Sequence, residues 1–315
     1  MRDITHKTLT ARSAVAEATL RVSPATMACI HRQAVPKGDP LPVARMAAIQ
    51  AAKQTSLLIP YCHPVPLDFV GVEFALTETM IQVTASVKAV YKTGVEMEAL
   101  TAASVAALTL YDMLKMLDEE MEIIGVRLIE KRGGQTEYME SFTLPVRAAV
   151  LVMSDTIAAG EKEDYSGRLI AERLQAEGVE VADYRIIPDD PAMITATLCA
   201  YADIEHYDLV LTTGGTGFSS RDNTPEAMNA VITRDIPGIP EALRAYGQSR
   251  TPYAMLSRGR AGLRHNTLII NLPGSKRGVA ESLDALFPGL LHAFHLIRGN
   301  TAHDRKRSGR KRSKA

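Results

Sequence analysis

The segment from Gly94 to Lys115, GVEMEALTAASVAALTLYDMLK, constrains the fold of this chain more than any other stretch. From Glu98 onward, apolar residues recur at intervals of three and four, which is the period of one face of an α-helix. The residues of this face are Leu100, Ala103, Ala107, Tyr111 and Leu114. We therefore predict a long helix whose apolar face is buried in a domain core.

A second face of the predicted helix ends in two charged residues, Asp112 and Lys115. Residues three apart on a helix have Cβ atoms about 5–6 Å apart, so this carboxylate and this ammonium can change each other's pKa and exchange a proton. The pair is also compatible with a surface ion pair worth less than about 1 kcal/mol. Small residues in the middle of the same face would let another element pack closely.

Length and composition set the general class of the protein. A chain of 315 residues is long enough for two domains. Its 36 Lys and Arg residues balance its 36 Asp and Glu residues, so net charge gives no argument for binding nucleic acid or a membrane. Three widely spaced cysteines without a CxxC motif indicate neither a disulfide framework nor a zinc site. No apolar run has the length of a signal peptide or a membrane span, so we expect a soluble cytoplasmic protein.

The first half contains about four strands and two main helices. Residues 10–22 are compatible with a strand or a short helix, and SPATMACI predicts a helix with Ser23 as N-cap and Pro24 at its first position. PVARMAAIQAAKQT predicts a helix with one side formed by Val43, Met46, Ala47, Ile49 and Gln50. Three further strands are predicted in VGVEFAL, QVTASVKAV and IIGVRLIEKR. The order β-α-β-β-α-β predicts a ferredoxin-like α+β domain.

Three other polar residues of this half are candidates for a site. Lys37 lies in the loop KGD, where a lysine can reach a phosphate or act as an acid or base when desolvated, although most loop lysines are simply solvated. His63 follows Cys62 with no partner at chelating spacing, so we do not predict a metal site. Glu96 precedes the long helix and can also satisfy the helix dipole.

KTGVEMEALTAASVAALTLYDMLK, KGDPLPVARMAAIQAAK and the CHP triplet together resemble the MoaC family of cyclic pyranopterin monophosphate synthases. The resemblance covers residues 1–140 and implies conversion of a 3′,8-cyclised dihydro-GTP nucleotide, without a cofactor, to cyclic pyranopterin monophosphate and diphosphate. It implies Asp112 as catalytic base, with Lys115 and Lys37 as acids and charge stabilisers. The substrate-binding residues that it implies are Tyr61, Cys62, His63, Glu96, Met97 and Arg12. Arg12 is equally compatible with an exposed arginine on an edge strand.

The second half alternates strands and helices. RAAVLVMSD, VEVADYRII and YDLVLTTGGTG predict strands, and DYSGRLIAERLQAEG and PAMITATLCAYA predict the helices between them. This alternation predicts a parallel, doubly wound α/β sheet, in which ligands bind beyond the carboxyl ends of the strands. The predicted strand ends carry Asp155, the pair Asp189 and Asp190, and the TTGGTG segment.

These strand ends leave alternatives open. TTGGTG has neither the GK[ST] of a P-loop nor the GxGxxG spacing, so it is also compatible with a tight turn. Asp189 and Asp190 precede Pro191, where an aspartate can cap a helix. The segment FSSRDNTPEAM, which follows TTGGTG, offers backbone amides and hydroxyls for an anion, and Asp222 for a cation.

TTGGTGFSSRDNTPEA and INLPGS resemble the MoaB/MogA family over residues 145–300. The resemblance implies a MogA-like domain that binds molybdopterin and, in the MogA type, adenylylates it with ATP and magnesium, for which Asp189 and Asp222 are the candidate ligands. The other implied contacts with pterin or nucleotide are Gly214, Gly215, Thr216, Gly217, Pro273, Gly274 and Ser275. The alternative is a pterin-binding carrier or scaffold without catalysis.

We predict domains over residues 1–140 and 145–303, joined by a polar linker that ends near residue 144. Residues 304–315 are strongly basic without apolar periodicity and predict a disordered tail. The expected ligands are the cyclised nucleotide and molybdopterin, and we expect neither nucleic acid nor membrane as a partner. The family resemblances imply a homo-oligomer, a trimer or a hexamer, with sites at subunit borders.

Overall fold

The structure is a computed structural model that describes residues 1–299, apart from the side chains of residues 135 and 136. The chain divides into two compact units, the first spanning Met1–Glu137 and the second starting at Tyr138. The basic tail predicted for residues 304–315 lies outside the described residues.

The first unit has the predicted ferredoxin-like α+β fold. Its elements are β1 (Thr10–Arg21), α1 (Pro24–His31), α2 (Pro40–Lys53), α3 (Thr55–Leu58), β2 (Phe69–Leu76), β3 (Met80–Tyr91), α4 (Glu96–Leu114) and β4 (Glu122–Arg132). The strands form one antiparallel sheet in the order β2-β3-β1-β4. Ser23 caps α1 as predicted, because its side chain accepts a hydrogen bond of 3.2 Å from the amide of Thr26.

Alanines make up much of the buried surface of the two main helices. The helix predicted in PVARMAAIQAAKQT is present as α2, but the side with Val43 and Met46 is exposed, and the buried residues are Pro40, Ala44, Ala48, Ala51 and Ala52. In α4, Leu100 and Tyr111 are only half-buried, and the buried residues are Glu98, Ala99, Ala102, Ala103, Ala106, Ala107, Leu110, Met113 and Leu114. Because α2 packs directly on α4, small side chains occupy the contact and large ones point away.

Helix α4 is the core helix of the first unit. Its length and composition also meet the criteria for a helix that crosses a membrane. Its buried residues nevertheless join those of the sheet in one apolar cluster, to which β1 contributes Ala14, Ala16, Ala18 and Leu20.

The second unit has a six-stranded sheet with helices on both faces. Its elements are β5 (Arg147–Met153), α5 (Asp155–Ala158), α6 (Ser166–Ala176), β6 (Glu180–Ile187), α7 (Pro191–Asp203), β7 (Leu209–Thr213), α8 (Thr224–Val231), β8 (Arg234–Asp235), α9 (Gly238–Gln248), β9 (Ala261–Arg264), β10 (Thr267–Leu272), α10 (Lys276–Leu286) and α11 (His292–Ile297). The strand order is β6-β5-β7-β10-β9-β8.

The doubly wound α/β prediction is confirmed for four of these strands. β6, β5, β7 and β10 pair in parallel, whereas β9 and β8 extend the sheet in antiparallel fashion. Alternate residues of β5 enter different cores, with Val150 and Val152 on one face and Ala149 and Leu151 on the other. This division is expected for a strand that is covered by helices on both sides.

The structure moves the domain boundary that we placed near residue 144. From Tyr138 the chain already belongs to the second unit. Phe142 packs against the core of that unit, and the Glu140 carboxylate lies 2.8 Å from Nδ1 of His292. Arg298 donates to the carbonyls of Leu144 and Pro145. The segment that we read as a polar linker is therefore largely an anchored part of the second domain.

We predict that Ala48→Leu destabilises the first unit by about 1–3 kcal/mol, because the larger side chain has no space in a fully buried position of α2. Calorimetry of the full chain should show a lower melting temperature for the first unit and an unchanged transition for the second. Met46→Leu on the exposed side of the same helix is the control and should have little effect. Equal effects of the two substitutions would contradict the close packing of α2 on α4.

Candidate functional site

The C-terminal end of α4 places one carboxylate between two ammonium groups. Oδ1 of Asp112 lies 2.8 Å from Nζ of Lys115, and its Oδ2 lies 2.9 Å from Nζ of Lys37. Lys37 also donates to the main-chain carbonyl of Asp112 at 2.8 Å. The structure therefore brings together the three residues that the sequence predicts as catalytic.

Electrostatics within this cluster oppose protonation of the carboxylate. Hydrogen bonds from Lys115 and then Lys37 lower the pKa of Asp112 from 3.8 to about 2, and the contact with Asp112 raises the pKa of Lys115. With both ammonium groups in contact, Asp112 is a weak base. The cluster keeps a net positive charge, and each ammonium has further N–H groups for an incoming phosphate.

A second group of polar residues lies at the N-terminal end of α4. Oε1 of Glu96 is 3.4 Å from Nζ of Lys131 on β4. The buried Glu98 lies within electrostatic reach of both Cys62 and Glu96. Burial raises the pKa of Glu98, and burial together with the Glu98 charge raises the pKa of the Cys62 thiol.

Glu98 is a further candidate residue that the sequence analysis did not select. It falls four residues before Ala102, in the stripe of α4 that is buried. A carboxylate at a core position is unusual unless it has a partner or a function. The position of Glu98 in line with the buried alanines of α4 was therefore a signal available in the sequence. We did not use this signal, because we read Glu98 as part of the charged start of the helix.

The remaining predicted residues of the first unit surround this second group only in part. Tyr61 is 78% exposed, Met97 is also exposed, and Nε2 of His63 lies 2.8 Å from the carbonyl oxygen of Arg2. Arg12 is not on an edge strand, because β1 lies between β3 and β4. Its Nε donates to the carbonyl of Tyr91 at 3.3 Å, and its guanidinium lies beside Gly134.

One protomer does not bring the two groups into one site. Glu98 and Asp112 are 14 positions apart on the same helix, which corresponds to about 21 Å along its axis. Lys37 lies with Asp112 at one end, whereas Cys62 lies with Glu98 at the other. The two groups therefore lie at opposite ends of α4 in one protomer.

In the second unit, the carboxyl ends of β5 and β6 bring two aspartates together. The amide of Asp155 donates to Oδ2 of Asp189 at 3.2 Å, and the amide of Asp189 donates to Oδ1 of Asp155 at 3.0 Å. Asp190 instead caps α7 by accepting from the amide of Met193 at 2.7 Å. The capping alternative thus holds for Asp190, whereas Asp189 faces Asp155, which the sequence analysis placed at a strand end but did not name as a candidate ligand.

The TTGGTG turn is hydrogen-bonded to the end of β10 and to the loop that follows it. The hydroxyl of Thr213 donates to the carbonyl of Pro273 at 2.6 Å, and Nδ2 of Asn271 donates to the carbonyl of Gly214 at 3.1 Å. Gly214 has a φ of +113°, and a Cβ atom there would lie 2.3 Å from the carbonyl oxygen of Met153. Only glycine fits this position. Its backbone therefore lies directly against Met153 at the end of β5.

A cavity of about 370 Å³ opens beside these two loops. Its wall combines apolar residues of α9 and the following loop with polar residues of the glycine loops and α10. The lining includes Thr216, Gly217, Pro240, Leu243, Arg244, Tyr253, Leu256, Ser257, Gly259, Asn271, Pro273, Ser275, Arg277 and Glu281. Four of the predicted contacts line it, namely Thr216, Gly217, Pro273 and Ser275, whereas Gly214, Gly215 and Gly274 form the turns behind them.

Asp222 lies next to Gly217 of the cavity wall and within electrostatic reach of Asp189. A Cβ atom on Gly217 would stand 2.9 Å from Oδ2 of Asp222. Burial raises the pKa of Asp189, and the charges of Asp155 and Asp222 raise it further. Within residues 1–299, no group of three or more His, Cys, Asp or Glu side chains has metal-binding geometry. Two carboxylates nevertheless suit Mg²⁺, which usually takes its other ligands from water and substrate phosphates.

Comparisons with known proteins assign both halves of the chain. Residues 1–134 match the MoaC family, and residues 149–292 match the probable molybdopterin binding domain. A molybdenum cofactor biosynthesis bifunctional protein of Chlorobaculum tepidum is 43% identical over 300 residues, which cover 95% of each chain. A cyclic pyranopterin monophosphate synthase of Nostoc is 51% identical over 138 residues, or 43% of this chain and 82% of that protein. The crystal structure of MoaB from Thermus thermophilus shares 47% identity, covers 49% of this chain and 97% of its own, and has a TM-score of 0.47.

We predict that Asp112 stays ionised to about pH 3 and that Lys115→Gln raises its pKa towards 3.8, because the largest cause of the low pKa is removed. The ion pairs stabilise the fold fully above pH 3.8, and this contribution is lost as the pH falls through about 2. NMR titration of the Asp112 carboxyl group measures this pKa. Lys53→Gln at the end of α2 is the control and should leave the pKa of Asp112 unchanged. A pKa of Asp112 near 3.8 in the wild type would contradict its contacts with the two lysines.

Proposed function

The chain belongs to the family of bifunctional molybdenum cofactor biosynthesis proteins, and we propose that its first unit is a cyclic pyranopterin monophosphate synthase and its second unit a molybdopterin adenylyltransferase. The cluster of Lys37, Asp112 and Lys115 carries the first assignment. The carboxylate of Asp222 next to Gly217 of the cavity wall, within electrostatic reach of Asp189, carries the second.

The first reaction requires a cationic site with a base. A substrate hydroxyl attacks the phosphorus nearest the ribose, the bond to the diphosphate breaks, and the hydroxyl proton must be removed. Lys37 and Lys115 offer positive charge for the triphosphate and the departing diphosphate. When the phosphates draw an ammonium away from Asp112, the cause of its low pKa is weakened. Substrate binding thereby turns Asp112 from an ion-pair partner into a stronger base.

The substrate site of the first unit is formed between two copies of the chain. The two groups of predicted residues lie about 21 Å apart on α4, so a second copy must supply one of them if both contact the same nucleotide. Apolar side chains on the edge strand β4 support such a contact, because Ile124, Val126 and Leu128 are exposed. This arrangement agrees with the expected homo-oligomer, a trimer or a hexamer.

The second reaction joins the phosphate of molybdopterin to the α-phosphorus of ATP and releases diphosphate. The apolar wall of the cavity, with Leu243, Tyr253 and Leu256, suits a flat pterin ring. The hydroxyls of Thr216 and Ser275 and the backbone of Gly217 suit its phosphate. Asp189 and Asp222 would hold Mg²⁺, which when bound screens the phosphate charges and orients the nucleotide.

A carrier that only binds pterin is the alternative for the second unit. A carrier needs the cavity but not a group of neighbouring carboxylates. Asp155 and Asp222 both lie within electrostatic reach of Asp189, and their charges disfavour ionisation of Asp189. Like charges held together at a strand end are more typical of a cation or catalytic site than of a passive binding site. This observation favours catalysis.

We predict that Lys37→Ala reduces formation of cyclic pyranopterin monophosphate by at least about a hundredfold, because the substrate loses a charge-stabilising group. The assay is pterin formation by the purified full chain from the cyclised nucleotide. Lys53→Ala, which removes an exposed lysine at the end of α2, should retain wild-type activity. Product formation at the wild-type rate by Lys37→Ala would exclude its catalytic role.

We predict that two inactive variants restore each other's activity when they share an oligomer. Lys115→Ala impairs the group at the C-terminal end of α4, and His63→Ala impairs the group at its N-terminal end. In a pair that contains one chain of each variant, one of the two shared sites therefore receives both groups intact. Random mixing in pairs should recover about a quarter of the wild-type activity. Coexpression followed by the same pterin assay measures the recovery. If the mixture is no more active than either variant alone, each site lies within one chain.

We predict that Asp222→Asn abolishes ATP-dependent diphosphate release by the second unit while molybdopterin binding persists, because the cavity wall remains. Asp190→Asn is the matched control, since asparagine also caps a helix well and Asp190 faces α7. A coupled diphosphate assay and a binding titration are the measurements. A wild-type chain that binds molybdopterin but releases no diphosphate would identify a carrier.

A further inference from the structure

Arg258 joins the glycine turn, Asp222 and α8 through one side chain. Its Nε donates to the carbonyl of Gly217 at 2.7 Å, and its Nη2 donates to the carbonyl of Asp222. Its Nη1 pairs with Glu226 on α8, and its main-chain amide donates to the carbonyl of Thr216 at 3.0 Å. The sequence analysis did not select Arg258, because nothing in its local sequence reveals these contacts.

The two carbonyls that Arg258 holds are the ends of the turn that carries the candidate carboxylate. Between them, the amide of Ser219 donates to Oδ2 of Asp222 at 2.7 Å, and the amide of Asp222 donates to the carbonyl of Ser219 at 2.9 Å. The position of the Asp222 carboxylate therefore depends on the shape of residues 217–222. A guanidinium has a rigid fork of donors that can bridge two carbonyls, whereas the ammonium of lysine is a point charge.

Arg258 also belongs to the wall of the cavity through its neighbours. Leu256, Ser257 and Gly259 line the cavity on one side, and Gly217 lines it on the other. A ligand in the cavity would therefore contact the residues on either side of Arg258. The guanidinium of Arg258 in turn donates to the carbonyls of Gly217 and Asp222. The contact with Arg258 also lowers the pKa of Glu226, which keeps the outer partner of the guanidinium ionised.

We propose that Arg258 is a positioning residue that fixes the Asp222 carboxylate at the edge of the cavity and links ligand contact in the cavity to that carboxylate. Its kinetic consequence rests on the proposed adenylyl transfer, whereas its effect on the loop does not. Arg258 thus holds Asp222 in position before the ligands bind. The loop then loses no further conformational entropy when the reaction takes place.

Hydrogen exchange of the full chain tests the effect on the loop. In Arg258→Lys, the amides of residues 216–222 should exchange about ten- to a hundredfold faster than in the wild type, the change expected for the loss of one charge-assisted hydrogen bond. The amides of β5 should keep their protection. Arg264→Lys is the matched control, because Arg264 holds both oxygens of Asp203 elsewhere in the unit. Exchange of the loop within about threefold of the wild type in Arg258→Lys would overturn the proposal.

Glu226→Gln separates the carbonyl contacts from the ion pair. It removes only the outer partner of the guanidinium, so the loop should stay within about threefold of wild-type exchange. Loss of protection as large as in Arg258→Lys would assign the effect to the ion pair and overturn the role of the two carbonyl contacts.

Steady-state kinetics with ATP, Mg²⁺ and molybdopterin test the link to catalysis. In Arg258→Lys, kcat should fall about ten- to a hundredfold while KM for molybdopterin stays within about threefold, because the cavity wall is kept. An unchanged kcat would overturn the link between Arg258 and Asp222. If the wild type itself forms no adenylylated product, the proposed function fails, and the exchange experiment alone decides whether Arg258 holds the loop.

Discussion

Close packing of α2 on α4 is the constraint on which the first unit depends. Both helices present alanines to the contact, so their backbones can approach closely, and larger residues such as Met46 are directed outward. The loop before α2 carries Lys37, and this packing delivers its ammonium to the Asp112 carboxylate at the end of α4. A core built from small side chains thus determines where the charged groups meet.

The two units hold opposite excess charges at their candidate sites. Two ammonium groups surround one carboxylate in the first unit, which suits a polyphosphate substrate. Three aspartates lie together in the second unit, which suits phosphates only when a cation is also bound. In the free protein, the two ammonium groups disfavour the protonated form of Asp112, and the neighbouring aspartates disfavour the ionised form of Asp189. A bound polyphosphate in the first unit or a bound cation in the second would weaken these effects. This difference fits two separate reactions better than one shared site.

The sequence predicted the elements of the fold better than their buried faces. The β-α-β-β-α-β order of the first unit and the parallel strands of the second follow from local period and turn residues. The sequence predicted helix α2 but not its buried face, because helix packing buries its alanines whereas the larger Val43 and Met46 are exposed. Glu98 and Arg258 were missed for a related reason. Their roles come from burial and from contacts between distant segments, which local sequence does not contain.

We propose that the cluster of Lys37, Asp112 and Lys115 at the end of α4 carries out phosphate cyclisation. ³¹P NMR of the purified chain with the 3′,8-cyclised nucleotide measures this reaction directly. We expect the triphosphate signals to disappear while one cyclic phosphate and one diphosphate appear in equal amounts. Unchanged triphosphate signals in a folded, correctly assembled sample would contradict it.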